Sequence, residues 1–126
     1  MQPALFGYGS DDFRTLFSRK VLLAFGSDAS MIDIDPLAGI HAAVNSGTSS
    51  ITIDQAVAAY TIGAAFAEFE ENEKGTIEVG KLADFVVLSS DIFKMQSSAI
   101  RNTRVEMTIV SGRVVFEADK EKLRMH

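Results

Sequence analysis

The sequence predicts an α/β segment followed by a β-rich one, and three observations carry that prediction. A continuous apolar run, Val21-Leu22-Leu23-Ala24-Phe25, reads as a strand buried on both faces, the pattern of a parallel sheet. Two stretches with helical apolar spacing follow it, and from Gly75 onward the spacing shifts to alternation. With 126 residues, 47% of them hydrophobic, the chain has the size and apolar content of one globular domain.

Taken in order, Gly7, Gly9, Ser10, Asp11 and Asp12 precede Phe13, Leu16 and Phe17, which predicts a loop and then a short helix ending near Arg19-Lys20. The apolar run 21–25 is closed by Gly26-Ser27-Asp28, placing Asp28 at the strand's C-terminal end. Asp35-Pro36 reads as N-cap and first helical residue, with Leu37, Ile40 and Val44 at helical spacing and Gly47 as a stop. Thr52 with Gln55 three residues on is a capping box, and Ile53, Ala56, Val57 and Tyr60 form the stripe behind it. Gly63 is expected to bend or divide this helix. Ala64, Ala65, Phe66, Ala67 and Phe69 continue it until Glu70-Glu71-Asn72-Glu73 and Gly75 end it, the acidic run being a solvated helix end.

Beyond Gly75, Ile77 and Val79 alternate, Gly80-Lys81 turns, and Phe85-Val86-Val87-Leu88 reads as a buried strand. Val105, Met107 and Ile109 alternate with Glu106 and Thr108, and Ser111-Gly112 turns them into Arg113-Val114-Val115-Phe116 as a hairpin. From Asp119 a polar stretch frays or forms a terminal helix. Three or four tail strands are expected in a sheet of their own. The single parallel-type strand lacks neighbours in this chain, so its partners are expected from elsewhere.

Composition excludes several functions. Twelve Lys and Arg against seventeen Asp and Glu give a net charge of -5, without the cationic surface that holds nucleic acid. Without cysteine there is no disulfide, thiolate nucleophile or cysteine zinc site, which fits a cytoplasmic setting. No run approaches the ~20 apolar residues of a membrane span, so no membrane partner is expected. His41, beside Ala42 and Ala43, reads as a helix-surface or half-buried histidine, because a catalytic zinc site needs about three protein ligands. His126 is terminal. Asp28 alone reads as a turn cap after Gly26-Ser27. Asp84, between Ala83 and a hydrophobic strand, is expected to accept hydrogen bonds and fix a turn. Gly75 and Gly80 read as turn residues with positive φ, not as a phosphate loop. Phe66, Phe69, Phe85, Phe93 and Phe116 read as core or partner-facing surface.

Several stretches together resemble a known family. Gly26-Ser27-Asp28-Ala29, Asp35-Pro36-Leu37 and Ala42-Ala43-Val44 resemble the last barrel strand and helix of the YtcJ-like branch of the amidohydrolases. Thr52-Ile53-Asp54-Gln55-Ala56, Tyr60-Thr61 and Ala64-Ala65 are similar to its next helices. The most specific stretch is Gly75-Thr76-Ile77-Glu78-Val79-Gly80-Lys81-Leu82-Ala83-Asp84-Phe85-Val86-Val87-Leu88, with Met107-Thr108-Ile109-Val110 and Gly112-Arg113-Val114-Val115 completing the pattern. Met1-Gln2-Pro3 resembles a stretch downstream of the sixth strand, although Leu5 and Phe6 stand where the family has a His. The resemblance departs at residues 7–20 and at Asn45-Ser46, where relatives often carry an Arg.

The resemblance implies the C-terminal fragment of a (β/α)8 barrel, residues 1–74, joined to strands of a composite β-sandwich, residues 75–126. It implies hydrolysis of a non-peptide C–N bond in a small amide-type substrate, with one or two divalent metals, zinc expected, in the complete enzyme. Asp28 matches the family's Asp that touches the metal and the nucleophilic water, takes the water's proton and passes it to the leaving nitrogen. Gly75, Gly80 and Asp84 match structural positions. The family's other ligands, a His-x-His pair, a Lys or carboxylate and two further His, lie on earlier strands, so the isolated chain is expected to hold no metal and to be inactive. The alternative is a stand-alone module without catalysis that hides its orphan strands in a homo-oligomer. A metal site assembled from Asp28 and His41 of several chains ranks below both.

Overall fold

The computed structural model describes residues 12–27, 29–30 and 33–118. Helix α1, Phe13–Ser18, starts at Asp12, whose carboxylate accepts the Thr15 N–H at 2.8 Å. That backbone bond holds the Asp12 carboxyl below its usual range. The cap is therefore at full strength above the ordinary carboxylate pKa and is lost as pH falls through the lowered one. Helix α2, Pro36–Val44, starts as its sequence predicts: Asp35 accepts the Ala38 N–H at 3.0 Å and Pro36 occupies the first turn. It ends at Asn45, and Gly47 opens a short 3-10 turn, Gly47–Ser49.

Helix α3, Ile53–Tyr60, carries the complete capping box, Gln55 N–H to Thr52 Oγ1 at 3.1 Å and Thr52 N–H to Gln55 Oε1 at 3.0 Å. Replacing Thr52 with Ala removes one arm of this pair and is expected to lower stability by about 1 kcal/mol. A shift of the urea midpoint at unchanged slope would register it. Helix α4, Ile62–Ala67, follows after a break at Thr61 (φ -117°, ψ -92°), two residues before the glycine expected to divide the helix. It stops at Ala67, earlier than the sequence suggests, and Phe69 takes a left-handed φ of 62°.

The tail forms one antiparallel sheet in the order β1-β2-β3, with β1 Phe85–Leu88, β2 Val105–Val110 and β3 Arg113–Glu117. Phe85 stands opposite Ile109, and Ile109 opposite Val114. The β2–β3 hairpin turns at Ser111-Gly112 as expected. A 3-10 turn, Ser97–Asn102, precedes β2 and packs on α2. One core joins these parts: Phe13, Ile40, Ala43, Ile51, Ala56, Ile92 and Ile100, drawn from α1, α2, α3, the residues just before α3, and the loop and 3-10 turn between β1 and β2.

Three apolar stretches depart from the sequence reading. Residues 21–25 form no strand, and Val21 and Leu22 are 41% and 52% exposed. Ile77 and Val79 lie in irregular chain, 84% and 108% exposed. β1 is a strand, but Phe85, Val86 and Val87 are exposed rather than buried. The cause is common to all three. Apolar spacing reports a side chain's need for a neighbour, and a strand also needs a ladder partner. Among the described residues, no strand pairs with residues 21–25, and Val86, Val114 and Val115 of the sheet are left exposed.

Candidate functional site

The segment leading to Asp28 is held from one side. Thr61 breaks the helix, so the last carbonyls of α3 lose the helical donors they would otherwise meet. The Ala59 carbonyl instead accepts the Phe25 N–H at 2.9 Å. The Phe25 ring lies against Phe13, with centroids 5.1 Å apart, and edge-on to Tyr60 at 5.4 Å. The Leu23 carbonyl oxygen approaches Gly63 so closely that a Cβ there would overlap it. Tyr60 reaches onward to α2, its hydroxyl lying over Gly39 where a side chain would overlap it. Burial pushes the Tyr60 phenol above its ordinary pKa, and the Asp35 carboxylate adds to the rise.

Asp28 itself lies outside the described residues, as do Met1-Gln2-Pro3, Leu5, Phe6 and His126. His41 is half-buried in the last turn of α2. Among the described residues, no three His, Cys, Asp or Glu side chains come together as a metal would require. The residues placed here therefore do not make a metal centre by themselves.

Along the 75–88 stretch the geometry is that of turns. Asp84 Oδ1 accepts the Ser111 N–H at 2.7 Å, while the Ala83 carbonyl accepts the Gly112 N–H at 3.0 Å, tying the entry of β1 to the β2–β3 turn. Gly75 and Gly80 both have φ of +96°. Lys81, whose side chain is largely buried, donates to the Glu71 carbonyl at 2.6 Å and to Thr76 Oγ1 at 2.7 Å, with Glu78 3.7 Å away. It fastens the loop after α4 to the 75–84 stretch. The acidic run is thus a folded turn, with Lys74 paired to Glu68 and Glu70 and one Glu71 carboxylate oxygen buried without a partner.

Sequence reasoning missed four contributors. Asn45 donates to the Ser97 carbonyl at 3.2 Å and accepts from Ser97 Oγ at 2.8 Å, which ties α2 to the turn before β2. Gly39, Tyr60 and Gly63 act through close approach between separate elements, and no local spacing announces that. An open cleft of about 420 Å³ lies between α1 and the start of α3, lined by Arg14, Phe17, Ser18, Ser50, Ile51 and Thr52. None of these is a residue singled out for chemistry.

Comparison with known proteins bears on most of the chain. The model of the Amidohydrolase family matches residues 4–116. The amidohydrolase YtcJ of Bacillus subtilis is 32% identical over 117 residues, an alignment covering 83% of this chain and 22% of that protein. The imidazolonepropionase of Kosmotoga olearia is 39% identical over 82 residues, covering 65% of this chain and 20% of that protein. In fold, an amidohydrolase from Thermotoga maritima matches with a TM-score of 0.70 at 25% identity, over 83% of this chain and 25% of that one. The chain thus spans about a fifth to a quarter of the length of the proteins it matches.

Proposed function

Because this chain belongs to the amidohydrolase family, we propose that it is the C-terminal portion of a metal-dependent hydrolase acting on the non-peptide C–N bond of a small amide-type substrate. Residues 1–74 supply the last strand and helices of a (β/α)8 barrel, and residues 75–126 supply strands of the composite sandwich. The observation that carries this reading is the 21–25 segment. It is apolar and anchored by Leu23 and Phe25, yet it has no ladder partner among the described residues. A barrel strand separated from its neighbours would have these properties. The exposed valines of the sheet support the same reading for the sandwich half.

In this assignment Asp28 ends the barrel strand on the face where such barrels carry their chemistry. Its carboxylate takes a proton from the attacking water as the oxygen bonds to the carbonyl carbon. It returns that proton to the nitrogen as the C–N bond breaks, so one group serves as base and then as acid. The described residues do not form a metal site, so the family's metal, zinc in this reading, would be held by side chains of earlier strands and by Asp28. Among the described residues no helix is long and apolar enough to cross a membrane. The cysteine-free composition is compatible with a cytoplasmic setting.

The test is a chimaera in which this sequence replaces the matching segment of the Bacillus subtilis relative. Metal uptake and hydrolysis of N-acyl and amide substrates are expected there. A folded chimaera that takes up metal but turns over nothing would overturn the reading. A second reading, a self-associating module without catalysis, is favoured by the same exposed sheet, whose uncovered side chains could pack against a second copy.

A further inference from the structure

Four contacts converge on a short stretch just before Asp28. Leu23 presses its carbonyl on Gly63, the Phe25 N–H bonds the Ala59 carbonyl, and the Phe25 ring packs on both Phe13 and Tyr60. Upstream, Val21 and Leu22 are exposed; downstream, none of the described residues lies within 4 Å of where a Gly26 side chain would be. The segment is therefore gripped at residues 23–25, with only Gly26 and Ser27 between the grip and Asp28. Tyr60 also touches the far side of the loop. Its ring meets Phe25 before the loop, and its hydroxyl rests on Gly39 in α2, the helix that follows it.

We propose that the α3–α4 junction is a positioning element for the loop between Phe25 and α2, with Gly63 and Tyr60 as its positioning residues. The inference rests on the assignment of Asp28 made above. Gly63 works by absence: any Cβ would push the Leu23 carbonyl outward and carry the following residues with it. Tyr60 works by bridging, since one rigid side chain sets the spacing between the two ends of the loop. Misplacement of a reacting group by about 1 Å can cost on the order of 100-fold in rate, so a modest shift at this grip would be read in turnover.

The experiment compares Gly63→Ala, Tyr60→Leu and Tyr60→Phe in the chimaera, with Asp28→Ala alongside. Gly63→Ala and Tyr60→Leu are expected to lower kcat by about 10-fold or more at near-constant KM and metal content, while Tyr60→Phe, which keeps the ring on Phe25 but loses the hydroxyl over Gly39, falls between them and the parent. Folded Gly63→Ala protein with unchanged kcat, beside an inactive Asp28→Ala, would overturn the positioning role and leave the Asp28 assignment standing. Full turnover in Asp28→Ala would remove that assignment and the positioning role with it. Amide exchange in the 126-residue chain supplies a readout independent of activity. Gly63→Ala is expected to speed exchange at the Phe25 amide, and unchanged protection there would overturn the proposal.

Discussion

Asp28→Ala in the chimaera is expected to lower kcat by about 10²–10⁴-fold with little change in KM, the loss typical of removing a positioned acid–base group. Water must lose a proton to attack and the amine must gain one to leave, and in this account a single carboxylate performs both transfers. Replacement by Asn keeps the size and hydrogen-bonding oxygen but cannot carry the proton, so it should fall nearly as far. A pH profile of kcat/KM tests the proton-transfer role itself, because the limb reporting the ionised carboxylate should disappear in both variants. An Asp28→Asn protein with full activity and the parental profile would mean that the residue only caps the turn after Gly26-Ser27.

The largest effect on stability is expected at Gly75. Its φ of +96° is a conformation that other L-residues rarely adopt, and a Cβ there would lie 2.9 Å from both the Ala65 Cβ and the Ile62 Cα. Conformational strain and overlap with the α4 backbone add, so Gly75→Ala should cost about 2–4 kcal/mol. Gly80 is the internal control. It shares the φ of +96° but has none of the described residues within 4 Å of its would-be Cβ, so Gly80→Ala should show the conformational cost alone, about 1–2 kcal/mol. Urea unfolding of both variants measures the difference, and equal losses would show that contact with α4 contributes nothing.

What was legible in the sequence was local. The Asp35 cap, the Thr52–Gln55 box and the Ser111-Gly112 hairpin each depend on residues within a few positions of one another, and each formed as the spacing predicts. The family was legible for a different reason: motifs spread from Gly26 to Val115 kept their order and spacing, and the family match covers residues 4–116. Apolar spacing misled at residues 21–25 and at Ile77 and Val79. It records the burial those side chains require, and the surfaces that would bury them are not among the described residues. The contacts of Gly63 with Leu23, of Tyr60 with Gly39 and of Asn45 with Ser97 were illegible because each joins elements far apart in the chain.

On the proposed assignment, Asp28 is one catalytic carboxylate of a hydrolase whose other metal ligands lie on earlier strands. That assignment is tested most directly on the purified 126-residue chain, by metal analysis and hydrolysis of an N-acyl and amide panel with added zinc or manganese. No stoichiometric metal and no turnover are expected. Bound metal together with turnover that Asp28→Ala abolishes would contradict the assignment, since the chain would then hold a complete site of its own.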